Sequence, residues 1–180
     1  MSERKQNKKI DKRAPVIVGV GDLVDRSKED GLNPQELLAK ACEHAIQDSG
    51  IKELSKHIDY VGVVRFTVDF LTATNQSNFQ YSNFPRTLAN KLNVSAKNEV
   101  YAPMGGNSPQ VLLEDALVKI SSGETDCALL SGGEALQTMI AKLKAGMSLD
   151  WLDEPGGSPE MIGNNDIGFS DHEKLHGMDL

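Results

Sequence analysis

The sequence predicts an α/β protein in which a mostly parallel sheet lies between two layers of helices. Three observations lead there. Apolar runs of strand length alternate with helically periodic segments in the order βαβαβαβα. The main runs are continuously apolar, as strands covered on both faces are. The helical segments open on cap signals and most close on glycine. Strands joined through helices in this way imply right-handed crossovers.

Ala14–Val20 (APVIVGV) is the first such run, and it is expected to be a strand inside the sheet. Asn33-Pro34-Gln35-Glu36 then opens a helix, with Asn33 as cap, Pro34 in the first turn and Glu36 completing a capping box. Leu37, Leu38, Ala41, Ala45 and Ile46 make its apolar face beside Cys42, and Gly50 stops it. Asp59–Thr67 (DYVGVVRFT) reads as the second strand. Val68–Asn83 is a long polar loop dotted with aromatics, a kind that is often functional. A helix from Phe84 to Leu92 and a third strand, Glu99–Met104, follow. Ser108-Pro109 starts a helix with Leu112, Leu113, Ala116, Leu117 and Ile120 on one face, ended by Gly123. Asp126–Ser131 is the fourth strand, and Gly132-Gly133-Glu134 turns into a helix carrying Leu136, Met139, Ile140 and Leu143 and ending at Gly146. The domain reading is therefore a basic disordered tail over 1–13, an α/β unit over 14–146, and an acidic, Gly- and Pro-containing insertion or loop region over 147–180.

Composition narrows the function. The chain has 180 residues, 39% hydrophobic and 25% charged, with a formal net charge of −7. That charge argues against nucleic acid as a partner. No stretch is apolar and long enough to span a membrane, and no apolar core follows the basic start, so neither a membrane nor a secretory route is expected. Cys42 and Cys127 both sit in apolar patterns and read as reduced core residues rather than a disulfide. The expectation is a cytoplasmic protein.

Two motifs invite chemistry. Gly19-Val20-Gly21 resembles the start of a dinucleotide fingerprint, but Val24 stands where its third glycine belongs and the next helix begins far downstream. A strand end needing small residues is the better reading, and no cofactor is expected. His172-Glu173-Lys174-Leu175-His176 matches HExxH, in which two histidines on one helix face hold zinc and the glutamate activates water. Gly177 follows at once on a short polar stretch, so a solvated segment is expected and no metal is assigned. His44 and His57 have no nucleophile near them in sequence.

The most informative stretch is Tyr101–Glu134, YAPMGGNSPQVLLEDALVKISSGETDCALLSGGE. It reads strand, glycine turn, helix, tight turn, strand, Gly-Gly-Glu. A helix start near Ser108 would aim unpaired N–H groups at the Gly105-Gly106 turn, a setting for an anion, an oxyanion or a thiolate. Equally, Ser108 and Pro109 can simply start the helix while the glycines permit the turn. Both readings stand at this point.

This stretch resembles the thiolase superfamily, where a nucleophilic cysteine ends the third strand, a Ser- and Gly-rich helix start follows, and the run closes on a pattern matched by Ser122-Gly123, Asp126, Ala128-Leu129 and Gly132-Gly133-Glu134. Pro15–Gly21 resembles the family's first strand, Pro34–Gly50 the helix carrying Ala41, Ala45, Asp48, Ser49 and Gly50, and Pro85–Val94 the helix before the third strand. The resemblance covers about 14–145 and is to bacterial thiolase-like proteins of the acetyl-CoA acetyltransferase type. It implies a three-layer α/β/α half-domain of a fold made of two such halves, CoA thioesters as substrate rather than cofactor, a place in lipid metabolism, and association as a dimer, another homo-oligomer or with a second half.

Two departures qualify what the resemblance implies. The nucleophile's position falls on Gly106, with Asn107-Ser108-Pro109 after it. Cys42 and Cys127 lie elsewhere in the pattern, and Ser108 sits two residues late. The family's acid–base histidine and second cysteine come from a second half, and the sequence stops at Leu180 before one. The expectation is a thiolase-like acyltransferase-family chain with no intact catalytic set, whose Gly105, Gly106, Asn107 and Ser108 form a substrate or oxyanion site. The alternatives are a non-catalytic thioester-binding or partner subunit and, further off, a zinc hydrolase built on His172, Glu173 and His176.

Overall fold

The structure, a computed structural model, describes residues 11–67, 69, 81–151, 153–163 and 171–177. Among these residues the main elements are α1 (Pro34–Asp48), β1 (Tyr60–Val64), α2 (Phe84–Lys91), β2 (Asn98–Ala102), α3 (Ser108–Ser122), β3 (Ala128–Ser131), α4 (Leu136–Lys144), β4 (Glu160–Met161) and α5 (Asp171–Leu175). The four described strands form one parallel sheet in the order β3-β1-β2-β4.

Local signals explain the helix ends. The Asn33 side chain accepts from the Glu36 N–H while Glu36 accepts from the Asn33 N–H, the reciprocal capping box. The helix α3 spans Ser108 to Ser122 and ends where Gly123 takes the left-handed conformation at φ 81°. Asn83 caps α2 through the Arg86 N–H.

Strand alternation sorts the side chains into two cores. Val61, Val63, Tyr101 and Leu129 face α1 and α2 and join Leu38, Cys42, Phe84 and Leu88. Tyr60, Val100 and Ala102, with Val64, Ala128 and Leu130, face α3 and close on Leu112 and Ala116. Among the described residues helices therefore cover both faces, one of them through α3. Gly62 permits this: a Cβ there would lie 2.7 Å from Leu112 Cδ1.

Three expectations change. Ala14–Val20 is not a strand; Val16 and Ile17 are 76% and 79% exposed, and the end of the segment packs against α1. Its anchor is the Val20 N–H to Asp48 Oδ2, 2.9 Å, and a Cβ on Gly19 or Gly21 would collide with the Ala45 or Ala41 carbonyl oxygen. The glycines of Gly19-Val20-Gly21 thus serve close packing of backbone on a helix. An apolar run states that a segment can be buried, not which strand it pairs with.

The fourth strand comes instead from Glu160–Met161, which joins the edge of β2 at Val100 and Tyr101. The segment 147–163 is led there past the helices by buried Leu149 and Trp151, by Gln35 Nε2 to the Trp151 carbonyl, and by Asn83 and Arg86 to the Gly156 carbonyl. The third change concerns the helix faces. In α1 the buried stripe is Leu38, Ala39 and Cys42, while Ala41 and Ala45 lie under the N-terminal segment. In α3 only Leu112 and Ala116 of the expected face are buried, and Leu117 is exposed. In α4, Ile140 and Leu143 are exposed. Most of the Val68–Asn83 loop falls outside the described residues.

Candidate functional site

A cavity of about 600 Å³ opens at the C-terminal ends of β1 and β3. Crevices at this end of a parallel sheet are the usual ligand positions of α/β proteins. Val64, Leu130, Met104, Pro109 and Leu112 give it an apolar wall; Gly105-Gly106 and Gly132-Gly133-Glu134 form its rims.

The turn before α3 is more specific than the sequence suggests. The Ser108 N–H bonds to the Gly105 carbonyl at 3.1 Å, Pro109 has no N–H, and the Gln110 N–H bonds to the Asn107 carbonyl at 3.0 Å. The expectation that the helix start itself offers several free donors is therefore corrected. The free donors are the N–H groups of Gly106 and Asn107, which have no hydrogen-bond partner among the described residues. Of the four expected site residues, Gly105 and Gly106 line the cavity and Asn107 and Ser108 do not. Ser108 is buried, its Oγ turned toward Gly105. A Cβ at Gly106 would meet nothing within 4 Å, and its φ is not positive, so the backbone does not require glycine there.

Glu134 has a definite local task. Its Oε1 accepts from the Thr67 N–H at 2.7 Å and from Thr67 Oγ1 at 2.6 Å, tying the turn after β3 to the chain leaving β1. The Gly-Gly before it allows close approach: a Cβ on Gly132 would stand 3.3 Å from Val64, and one on Gly133 3.0 Å from Leu38.

A second cavity, about 440 Å³, lies on the other side of Arg65, lined also by Tyr81, Ser82, Tyr101, Ser158, Pro159 and Met161. Arg65 Nε bonds to Asp69 Oδ2 at 2.7 Å, and Tyr101 Oη donates to the same oxygen at 2.9 Å. The Tyr81 N–H donates to Asp69 Oδ1. Burial works against the Arg65 charge, but the hydrogen bond and attraction to Asp69 outweigh it and hold the guanidinium above its ordinary value. Burial, then the Asp69 charge, pushes the Tyr101 phenol well up. Sequence reasoning missed this group; its signal was an arginine at the end of an apolar strand with an aspartate four residues on.

The remaining candidates stand apart. Neither cysteine lines either of these two cavities, and burial pushes the Cys42 thiol up to about 11. His172 and His176 are exposed on the short α5 and the turn after it, their rings 4.9 Å apart. Among the described residues no group of three metal-ligating side chains occurs. His44 Nδ1 pairs with the Asp22 carbonyl at 2.9 Å. No helix among the described residues is long and apolar enough to cross a membrane.

Comparison with known proteins gives one line of similarity. No family model matches the sequence, and no curated protein does. Solved structures do, among them a monomeric SCP2-thiolase-like protein type 1 from Mycobacterium smegmatis, 32% identical with a TM-score of 0.56 over 69% of this chain. The chain spans 24% of that protein's length. The four-stranded parallel sheet with its helices has the fold of a thiolase-like half-domain.

Proposed function

We propose that this chain is a thiolase-like unit that binds CoA thioesters without forming an acyl-enzyme. One observation carries the reading: the cavity at the strand ends is rimmed by Gly105-Gly106, with the free Gly106 N–H and open space where the resemblance puts a nucleophile. Such a donor suits a thioester carbonyl. No thiol lies among the described residues of the cavity wall, which supports a reading without the acyl-cysteine step. In this reading Gly105 and Gly106 are the oxyanion site through the Gly106 N–H, Asn107 and buried Ser108 support the turn behind it, and the setting is cytoplasmic lipid metabolism.

The test is calorimetric titration of the 180-residue chain with acetyl-CoA, alongside a thiolysis assay. Binding without turnover is expected. Gly106→Phe, which fills the open space, is expected to weaken binding by about tenfold or more while leaving the circular dichroism spectrum unchanged. Thiolysis, or an affinity indifferent to Gly106→Phe, contradicts the reading.

A partner-subunit role is the second reading, favoured by the outward apolar side chains Leu117 and Val118 on α3 and Ile140 and Leu143 on α4. In it the partner is a second copy or another thiolase-like half. Light scattering across a concentration series separates a monomer from a self-associating chain.

A further inference from the structure

We propose that Arg65 reads the far end of the acyl group, so that the chain prefers thioesters whose acyl chain ends in a carboxylate. The inference rests on the thioester reading above and adds the substrate class.

Arg65 alone among the described residues lines both cavities. It stands between the Gly105-Gly106 rim on one side and the smaller cavity on the other. Its position is set before any ligand arrives. Nε is held by Asp69, whose side chain is fully buried, and the guanidinium carbon lies 5.6 Å from the centre of the Tyr101 ring. A guanidinium carries five N–H donors. The bond to Asp69 uses one and the neighbouring Tyr101 hydroxyl takes at most one more. The outer donors remain, on a side chain that is 23% exposed. That arrangement is an oriented fork, the geometry that binds carboxylates through two parallel hydrogen bonds.

Both cavities have a carboxylate near them: the one behind the smaller, Asp69, is engaged by Arg65, Tyr101 and the Tyr81 N–H, and the wall itself favours an anion there. Glu134 lines the larger cavity and repels an anion there. Among the described residues no acidic side chain lines the smaller one, and Ser82 and Ser158 add hydroxyl donors at its wall. A thioester carbonyl seated at the Gly106 turn therefore sends an acidic tail past Arg65 and leaves an apolar tail without a matching end.

The test compares glutaryl-CoA with pentanoyl-CoA, equal in chain length and differing in the terminal carboxylate. The wild-type chain is expected to bind glutaryl-CoA at least about tenfold more tightly. Arg65→Lys keeps a cation beside Asp69 but removes the fork; it is expected to abolish the preference, weakening glutaryl-CoA binding about tenfold more than pentanoyl-CoA binding. Equal affinities in the wild type, or equal weakening of both ligands by Arg65→Lys, overturns the proposal. If neither thioester binds, the thioester reading fails by itself, and sodium glutarate becomes the probe. A glutarate-induced shift of the Arg65 side-chain nitrogen resonance, absent with the uncharged glutaramide, keeps the carboxylate site; no shift removes it. Melting curves of Arg65→Lys confirm that the compared chains are folded.

Discussion

Placing a thiol at position 106 tests the site at the level of one atom. The substitution Gly106→Cys is sterically free, since a Cβ there meets nothing and the backbone is compatible with any residue. The first turn of α3 carries no acid, and the Gly106 and Asn107 N–H groups are uncommitted. An ordinary thiol titrates near ~8.5; beside a helix start it falls, here to about 7, with Glu134 on the opposite rim limiting the drop. At pH 7 the thiolate fraction then rises from roughly 3% to roughly 50%. The weaker basicity lowers its intrinsic reactivity by about four- to fivefold. The net gain in alkylation rate is only about three- to fourfold, so a rate at one pH says little and the midpoint of the pH profile says most. Iodoacetamide labelling from about pH 5 to about pH 10, with the site assigned by mass spectrometry, supplies that midpoint. Cys42, pushed up to about 11 by burial, is roughly one part in ten thousand thiolate at pH 7 and stays silent. The Gly106→Cys variant still lacks a base and is expected to show no condensing activity. A midpoint at or above the ordinary thiol value would mean that position 106 does not feel the start of α3, and the match to a nucleophile position would fail.

Three further outcomes follow from the packing. Leu112→Ala removes the side chain that closes the α3 face of the sheet and is expected to cost about 2–5 kcal/mol, read from urea midpoints; a loss under about 1 kcal/mol would deny α3 that role. Gly21→Val drives a Cβ into the Ala41 carbonyl and is expected to release the N-terminal segment from α1, seen as faster proteolysis after Arg13 or Arg26 than in the wild type. Cys42 has a raised folded-state pKa, so its contribution is intact below the unfolded thiol value and is lost as pH climbs from about 9 to about 11. Over that window the wild type should lose roughly 3 kcal/mol more stability than Cys42→Ala, and parallel pH curves would contradict this.

What the sequence made legible was local. The capping box at Asn33 and Glu36, the span of α3 from Ser108 to the left-handed Gly123, and the apolar cores of β1, β2 and β3 are written in adjacent residues, and they came out as read. The parallel sheet followed from their alternation. Pairing was not legible. Ala14–Val20 has the stronger strand signature, yet Glu160–Met161, two exposed residues in a Gly- and Pro-containing stretch, takes the place in the sheet. What decides is where the chain is held beforehand, here by Trp151, Gln35 and Arg86, and such anchoring is spread along most of the chain. The site divides in the same way. Gly105 and Gly106 were visible as a turn, whereas Arg65, with Asp69 four residues on, becomes a candidate only once Tyr101 from another strand joins the pair.

The late arrival of β4 has a consequence during synthesis. The partner that covers the edge of β2 is encoded about sixty residues after it, Glu160 against Val100. At translation rates of about 5–20 residues per second, that is a delay of about 3–12 s, before counting the length held in the ribosome. Throughout it the nascent sheet presents a bare parallel edge that neighbouring chains on one message can join. The closing contacts, Lys119 to Glu160 and the Ile162 N–H to Tyr101, form only at the end of the wait. Slower translation across 147–163 lengthens the exposure, and a messenger recoded for speed in that stretch should yield more soluble chain than one recoded anywhere upstream of β2.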